Sequence, residues 1–224
     1  MPPVTRRRRK GRAREDLVIA AATDAIAERG LANVRITDIA DRAGMRPGHV
    51  TYYFPSKTQL LMRAIRQSEE GFIDELERRI ATIRDPWRRL KKYFELAAAT
   101  GPGDTGWILW FEVWSNAAID PEVARIHDEL DARSRAVLAG IIRRGRDQGA
   151  FHTGDPDTTA QLLCAVIDGL SIQLALGAAG ANRRRILQLC MTAAQAHLTM
   201  PKPGTRPGSR RSPRSKATPS PARP

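Results

Sequence analysis

Residues 36 to 57 read I-T-D-I-A-D-R-A-G-M-R-P-G-H-V-T-Y-Y-F-P-S-K. Two short segments, TDIADRA and PGHVTYY, flank Gly44-Met45-Arg46. Two short helices split by a three- or four-residue turn containing glycine define a helix-turn-helix. Thr37 is an N-cap residue for the first helix and Gly44 its stop. Pro47 lacks an N–H, costs nothing in a first helical turn, and holds Arg46 extended as the N-cap of a helix over about 47 to 53. On that helix Val50 and Phe54 are four apart and apolar, so they face the preceding helices. Arg46, His49, Tyr52 and Tyr53 recur at spacings of three and four on the opposite stripe. That stripe carries donors, rings and one fixed charge, and it invites one of two accounts: a core helix whose hydroxyls are satisfied locally, or a face for DNA. On the second account the tyrosine hydroxyls meet phosphates, Arg46 forks onto a guanine edge, and Lys57, at the start of the next helix, neutralises a phosphate.

Outward from this stretch the chain reads as all-α. Alanine and leucine abound while aromatics make up 5% of 224 residues, a balance that favours helices over sheets. A first helix is expected over about 15 to 29, ending at Gly30. Ser56-Lys57-Thr58-Gln59 is a capping box that opens a fourth helix. Asp85-Pro86, Asp120-Pro121 and Asp155-Pro156 each place a capping acid before a proline and start three more. With helices over about 105 to 116 and 182 to 197, about nine are expected. The division between a small N-terminal unit (15 to 62) and a larger helical body (63 to 200) falls within the fourth helix.

The net charge of +13 belongs to the ends of the chain. Residues 1 to 14 hold seven basic residues and no acid, and residues 201 to 224 another seven and no acid. Both are expected to be disordered basic arms suited to a polyanion. No apolar run approaches the roughly 18 residues of a membrane span, so a cytoplasmic protein without a membrane partner is expected. Cys164 and Cys190 read as buried thiols. No nucleophile, phosphate-loop, metal or paired-carboxylate motif appears, so neither catalysis nor a cofactor nor a metal is expected.

From about Ala20 to Leu61 the pattern resembles the DNA-binding domain of TetR-type transcriptional regulators. Thr37, Ile39, Ala40, Ala43, Gly44, Gly48, Phe54, Lys57 and Leu61 fall on the family's usual positions. The resemblance implies DNA binding through Thr37, Arg46, Pro47, Gly48, His49, Tyr52, Tyr53 and Lys57. Two positions depart from it. Arg46 stands where a small hydroxyl residue is usual, and Thr51 where tyrosine is most common, so base preference does not transfer from any relative.

The C-terminal body carries W-I-L-W-F-E-V-W over residues 107 to 114. Trp107, Trp110 and Trp114, with Phe111 beside them, line one helical face; the face is either a core stripe or the wall of an apolar cavity suited to a cation. Asp168, an acid in an apolar helix, has three open roles: capping a turn, pairing across an interface or facing a ligand. Residues 85 to 180 more loosely resemble the BetI-like subgroup. That implies a small-molecule effector and a homodimer built on the last two long helices, through Leu162, Val166, Leu170, Ile186, Leu189 and Ala193. The functional expectation is a repressor released from a pseudo-palindromic operator by a small molecule. The alternative is an architectural protein that coats DNA through its arms with little sequence choice.

Overall fold

The computed structural model describes residues 6–199, which form nine α-helices: α1 (Arg6–Arg29), α2 (Ile36–Arg42), α3 (Pro47–Tyr53), α4 (Lys57–Ile80), α5 (Pro86–Ala97), α6 (Thr105–Ala117), α7 (Pro121–Asp147), α8 (Pro156–Ala175) and α9 (Arg183–Leu198). Side-chain caps set most of the starts. Ser56, Asp85, Asp104, Asp120, Asp155 and Asn182 each accept a first-turn backbone N–H, an arrangement worth about 1 kcal/mol per helix. Three of these helices carry the expected proline directly after the capping aspartate.

Two starts differ from expectation. Helix α1 begins at Arg6 and not near Glu15, so residues 6 to 14, expected to be a disordered arm, are helical. A run of arginine and lysine has good intrinsic helix propensity, and it continues a helix already nucleated by the apolar stripe that follows. Helix α2 begins at Ile36 with Arg35 as its N-cap residue. Thr37 therefore lies inside the helix, and Asp38 takes over the capping role by accepting the Arg35 N–H at 3.1 Å. The expected tail over 201 to 224 lies outside the described residues.

The buried side chains form two clusters. One joins Val18, Ile26, Ile39, Val50, Leu61 and Ile65 to Leu109 and Val113 of α6 and Val123, Ile126 and Leu130 of α7. The other begins at Leu76 of α4 and fills the space among α5, α7, α8 and α9. Packing thus runs across the division expected at residue 62, because the N-terminal helices share their core with α6 and the start of α7.

Helix α8 is long and apolar enough by composition to cross a membrane. That departs from the reading of the sequence, in which no apolar run approaches the length of a membrane span. In the fold α8 lies between α7 and α9, with Leu163, Ile167 and Leu174 buried.

Candidate DNA-binding face and effector cavity

The turn between α2 and α3 is a Schellman motif. Met45 N–H donates to Ala40 O at 2.8 Å and Gly44 N–H to Asp41 O at 3.1 Å, with Gly44 at φ 63°. That backbone region strains any residue with a Cβ, so glycine fixes the angle at which α3 leaves α2. Val50 and Phe54 are buried as expected. Opposite them Arg46, Pro47, Gly48, His49 and Thr51 are exposed. Tyr52 is 80% exposed, and Tyr53, half-buried, leans on the core with its ring 5.3 Å from that of Tyr52 in an edge-on arrangement. Thr37 is exposed at the start of α2.

Lys57 does not join them. Its Nζ donates to the carbonyls of Leu31 (3.0 Å), Ala32 (3.2 Å) and Val34 (3.0 Å), which uses all three ammonium hydrogens within the protein. The phosphate contact expected of it is replaced by a clamp on the α1–α2 connection. From the other side Glu112 of α6 accepts the Leu31 N–H at 3.0 Å. Glu28 and Arg42 complete the unit with a two-pronged pair, 2.9 and 2.6 Å, between α1 and α2.

A Cβ added at Gly48 would meet nothing within 4 Å, so the protein itself does not demand glycine there. Gly48→Ala is expected to leave thermal stability unchanged or slightly raised while weakening binding to a DNA duplex about tenfold. Melting and fluorescence anisotropy on the same preparation check both halves. Arg46→Ala is expected to relax preference at a single base pair if the guanidinium reads guanine, at a cost of about 1–3 kcal/mol in discrimination; competition among single-base operator variants reads this directly.

The second site is a cavity of about 280 Å³ lined by residues of α4, α5, α6, α7 and α8. Trp107, Trp110 and Trp114 line it, their rings 6.0–6.1 Å apart. Phe111 does not reach the lumen; it packs 5.9 Å from Trp114 as part of the second core cluster, because it points away from the stripe that the three indoles share. The Trp114 indole N–H donates to His127 Nε2 at 3.2 Å, and His127 Nδ1 lies 3.2 Å from Asp128.

Asp168 faces this cavity, and so does Glu69 of α4, which sequence reading missed. Glu69 is 6% exposed. Burial pushes its carboxyl up to about 7, with Arg133 opposing and Asp168 adding to the rise. Burial likewise raises Asp168 to about 6, against the pull of His127. Burial and the adjoining Cys164 thiol, 3.8 Å away, hold the Tyr93 phenol well above its ordinary range. A signal for Glu69 existed: it sits on the α4 stripe of Leu61, Ile65, Phe72 and Leu76, where an acid is out of place.

The linkage has a definite sign. The folded-state value of Glu69 lies above its unfolded value, so the unfolded chain binds fewer protons between the two. Its contribution to stability is complete at low pH and is lost as pH rises through about 7, a change of about 3 kcal/mol. Glu69→Gln is expected to raise the melting temperature of the ligand-free protein at pH 8 and to leave it little altered at pH 5.

At the C-terminal helices, Leu162 (39% exposed) and Leu189 (37% exposed) stand outward, and Val166, Leu170 and Ala193 are half-buried. Ile186 is only 3% exposed and belongs to the protomer's own core, contrary to the expectation that it lies in an interface. Ile186 packs into the second core cluster and not outward. Cys164 and Cys190 are buried free thiols, as expected. Among the described residues no group of three His, Cys, Asp or Glu is placed to hold a metal.

An all-helical chain with a glycine-turned helix pair at one end and a tryptophan-walled cavity in its body has the architecture of a one-component regulator. The family model for bacterial regulatory proteins of the tetR family matches residues 18–64, and that for the BetI-type transcriptional repressor C-terminal domain matches residues 86–199. The chain belongs to the TetR family, with a C-terminal domain of the BetI type, and is a transcriptional regulator. It is 28% identical over 185 residues to the HTH-type transcriptional regulator BetI 2 of Chromohalobacter salexigens, covering 80% of this chain and 86% of that one. A solved transcriptional regulator of Saccharomonospora viridis in complex with choline is similar over 82% of this chain and 95% of its own, with 32% identity and TM-score 0.74. A TetR regulator from Haloarcula marismortui, 23% identical with TM-score 0.74 over 84% of this chain and 99% of its own, shares the fold.

Proposed function

We propose that the chain is a cytoplasmic repressor that holds a pseudo-palindromic operator as a homodimer and releases it when a small organic cation enters the tryptophan cavity. The observation that carries this reading is the pairing of three indoles with two unpartnered carboxyls in one cavity. Indole faces attract cations, and buried carboxyls without partners favour a ligand that brings positive charge. The choline complex of the Saccharomonospora viridis regulator supports the same chemistry. Neither catalysis nor a cofactor enters this reading.

A ligand can shift an equilibrium only by its differential affinity for two states. Helix α6 supplies a physical link: its tryptophans wall the cavity, while Leu109 and Val113 sit in the core of the DNA-binding head and Glu112 holds the α1–α2 connection. The outward residues of α8 and α9, among them Leu162 and Leu189, suit pairing with a second copy, which would set two α3 helices at operator spacing.

The test is selection of genomic fragments by the purified full chain at physiological salt with excess competitor DNA, followed by addition of choline. Enrichment of one short pseudo-palindrome, lost on adding the cation, is the expected result. Recovery of fragments without a shared motif would favour the architectural alternative, in which basic residues at the ends supply salt-sensitive contacts.

A further inference from the structure

We propose that Glu69 reads the charge of the effector: a cation in the cavity is bound with release of the Glu69 proton to solvent, so that effector affinity rises with pH across neutrality. This rests on the cation reading above and adds to it a named residue and a proton.

Every element around Glu69 has its charges accounted for. From α5 comes the Tyr93 phenol, engaged with Cys164 of α8. Before α6, the Asp104 carboxylate accepts from Thr100 (2.9 Å from N, 2.7 Å from Oγ1) and from Trp107 N at 3.2 Å. From α7, Asp131 is paired with Arg135, His127 Nε2 is taken by Trp114, and Arg133, 4.0 Å from Glu70, also pulls on Glu69 without outweighing its burial. On α4 itself Arg66 is bound by Glu129 at 2.8 Å, and α1 meets α4 through Glu15 and Arg63, further towards the start of the helix. Among the described residues no hydrogen bond holds either the Glu69 or the Asp168 carboxyl. Two acids facing one low-dielectric space cannot both ionise cheaply, and one keeps its proton.

Burial, at about 7 for Glu69 and about 6 for Asp168, makes Glu69 the group that is half-protonated near neutrality. A quaternary ammonium has no hydrogen to donate and none to lose, so it is held by indole faces and by negative charge alone. It selects the ionised carboxylate, and the proton leaves the Glu69 oxygen for the buffer. Because Glu69 lies on α4, whose first turn carries the Lys57 clamp, charge is read on the helix that also positions the DNA-binding head.

The experiment is titration calorimetry on the full chain with tetramethylammonium, choline and hexyltrimethylammonium. It is run from pH 5.5 to 8.5, in paired buffers of different ionisation heat. The expected result is release of about half a proton per site at pH 7 and affinity about tenfold weaker at pH 6 than at pH 8. Glu69→Gln should abolish the release at pH 7, flatten affinity between pH 7 and 8.5, and narrow the preference for choline over its uncharged isostere 3,3-dimethylbutan-1-ol. Asp168→Asn should still release a proton, which assigns it to Glu69. Should the glutamine variant fail to fold, proton release retained by Asp168→Asn carries the assignment to Glu69, and its loss in that variant overturns it. Binding of a cation with no proton release and pH-independent affinity overturns the inference and leaves the cation reading standing. Failure of all three cations to bind at pH 8.5 overturns both.

Discussion

Gly145→Ala is expected to destabilise the protein by about 3 kcal/mol, lowering the melting temperature by about 6–12 °C. Gly145 lies in the last turns of α7 with the Phe151 ring folded back over it. A Cβ there would intrude on the ring, with Phe151 Cγ at 2.8 Å and two further ring carbons closer still. The ring cannot give way. Phe151 is buried, packs edge-on at 4.8 Å against Trp87, and is tied by its own N–H to Gly145 O at 3.2 Å. Overpacking of this kind moves backbone and not merely a rotamer, so both α5 and the start of α8 feel it. Gly140, on the same helix, is the internal control: an added Cβ meets nothing within 4 Å, so Gly140→Ala should stabilise α7 by about 0.5–1 kcal/mol. Urea denaturation of the two variants measures both signs. Equal stability of Gly145→Ala and wild type would mean that α7 and Phe151 do not pack as described.

The second large effect is expected from Lys57→Met, which keeps the aliphatic stem and removes the ammonium. Three carbonyls lose a charged donor at once. A charged hydrogen bond contributes about 1.5–3 kcal/mol, and since water can replace part of what is lost at the exposed Ala32 carbonyl, a total of about 2–3 kcal/mol is expected. The DNA-binding head should melt first, because Leu31 and Val34 are anchored in its core. DNA measurements separate this from the phosphate role. Loss of a phosphate contact lowers the slope of log affinity against log salt by about one; loss of a clamp lowers affinity and keeps the slope. The clamp predicts an unchanged slope.

Local chemistry made much of this molecule legible in the sequence. The Asp-Pro pairs, Ser56 and Gly44 act through near neighbours, so the starts of α4, α5, α7 and α8 and the turn before α3 could be read directly. Val50 and Phe54 were likewise assigned correctly by helical spacing. What escaped depends on partners distant in the chain. Lys57 is 23 to 26 residues from its carbonyls, and nothing in its own neighbourhood distinguishes a clamp from a phosphate contact. Phe111 is one residue from Trp110, and only the placement of α7 and α8 decides which of them meets the lumen. Ile186 is apolar in either setting, so periodicity could not tell the protomer's core from a surface. Thr37 lost its capping role to Asp38 because the helix began one residue before it. Glu69 was legible in principle, as an acid interrupting an apolar stripe, but the cavity that gives it meaning is made by four other helices.

Helix α6 has little spare surface. Its indoles face the cavity, Leu109 and Val113 are buried in the head, and Glu112 is committed to Leu31 and to the close approach of Gly30, where an added Cβ would stand 3.0 Å from the carboxylate. A substitution on α6 that reshapes the cavity therefore also disturbs the DNA-binding end, and descendants of this chain that acquire a taste for other molecules should carry their changes on α5, α7 and α8 while leaving α6 nearly untouched.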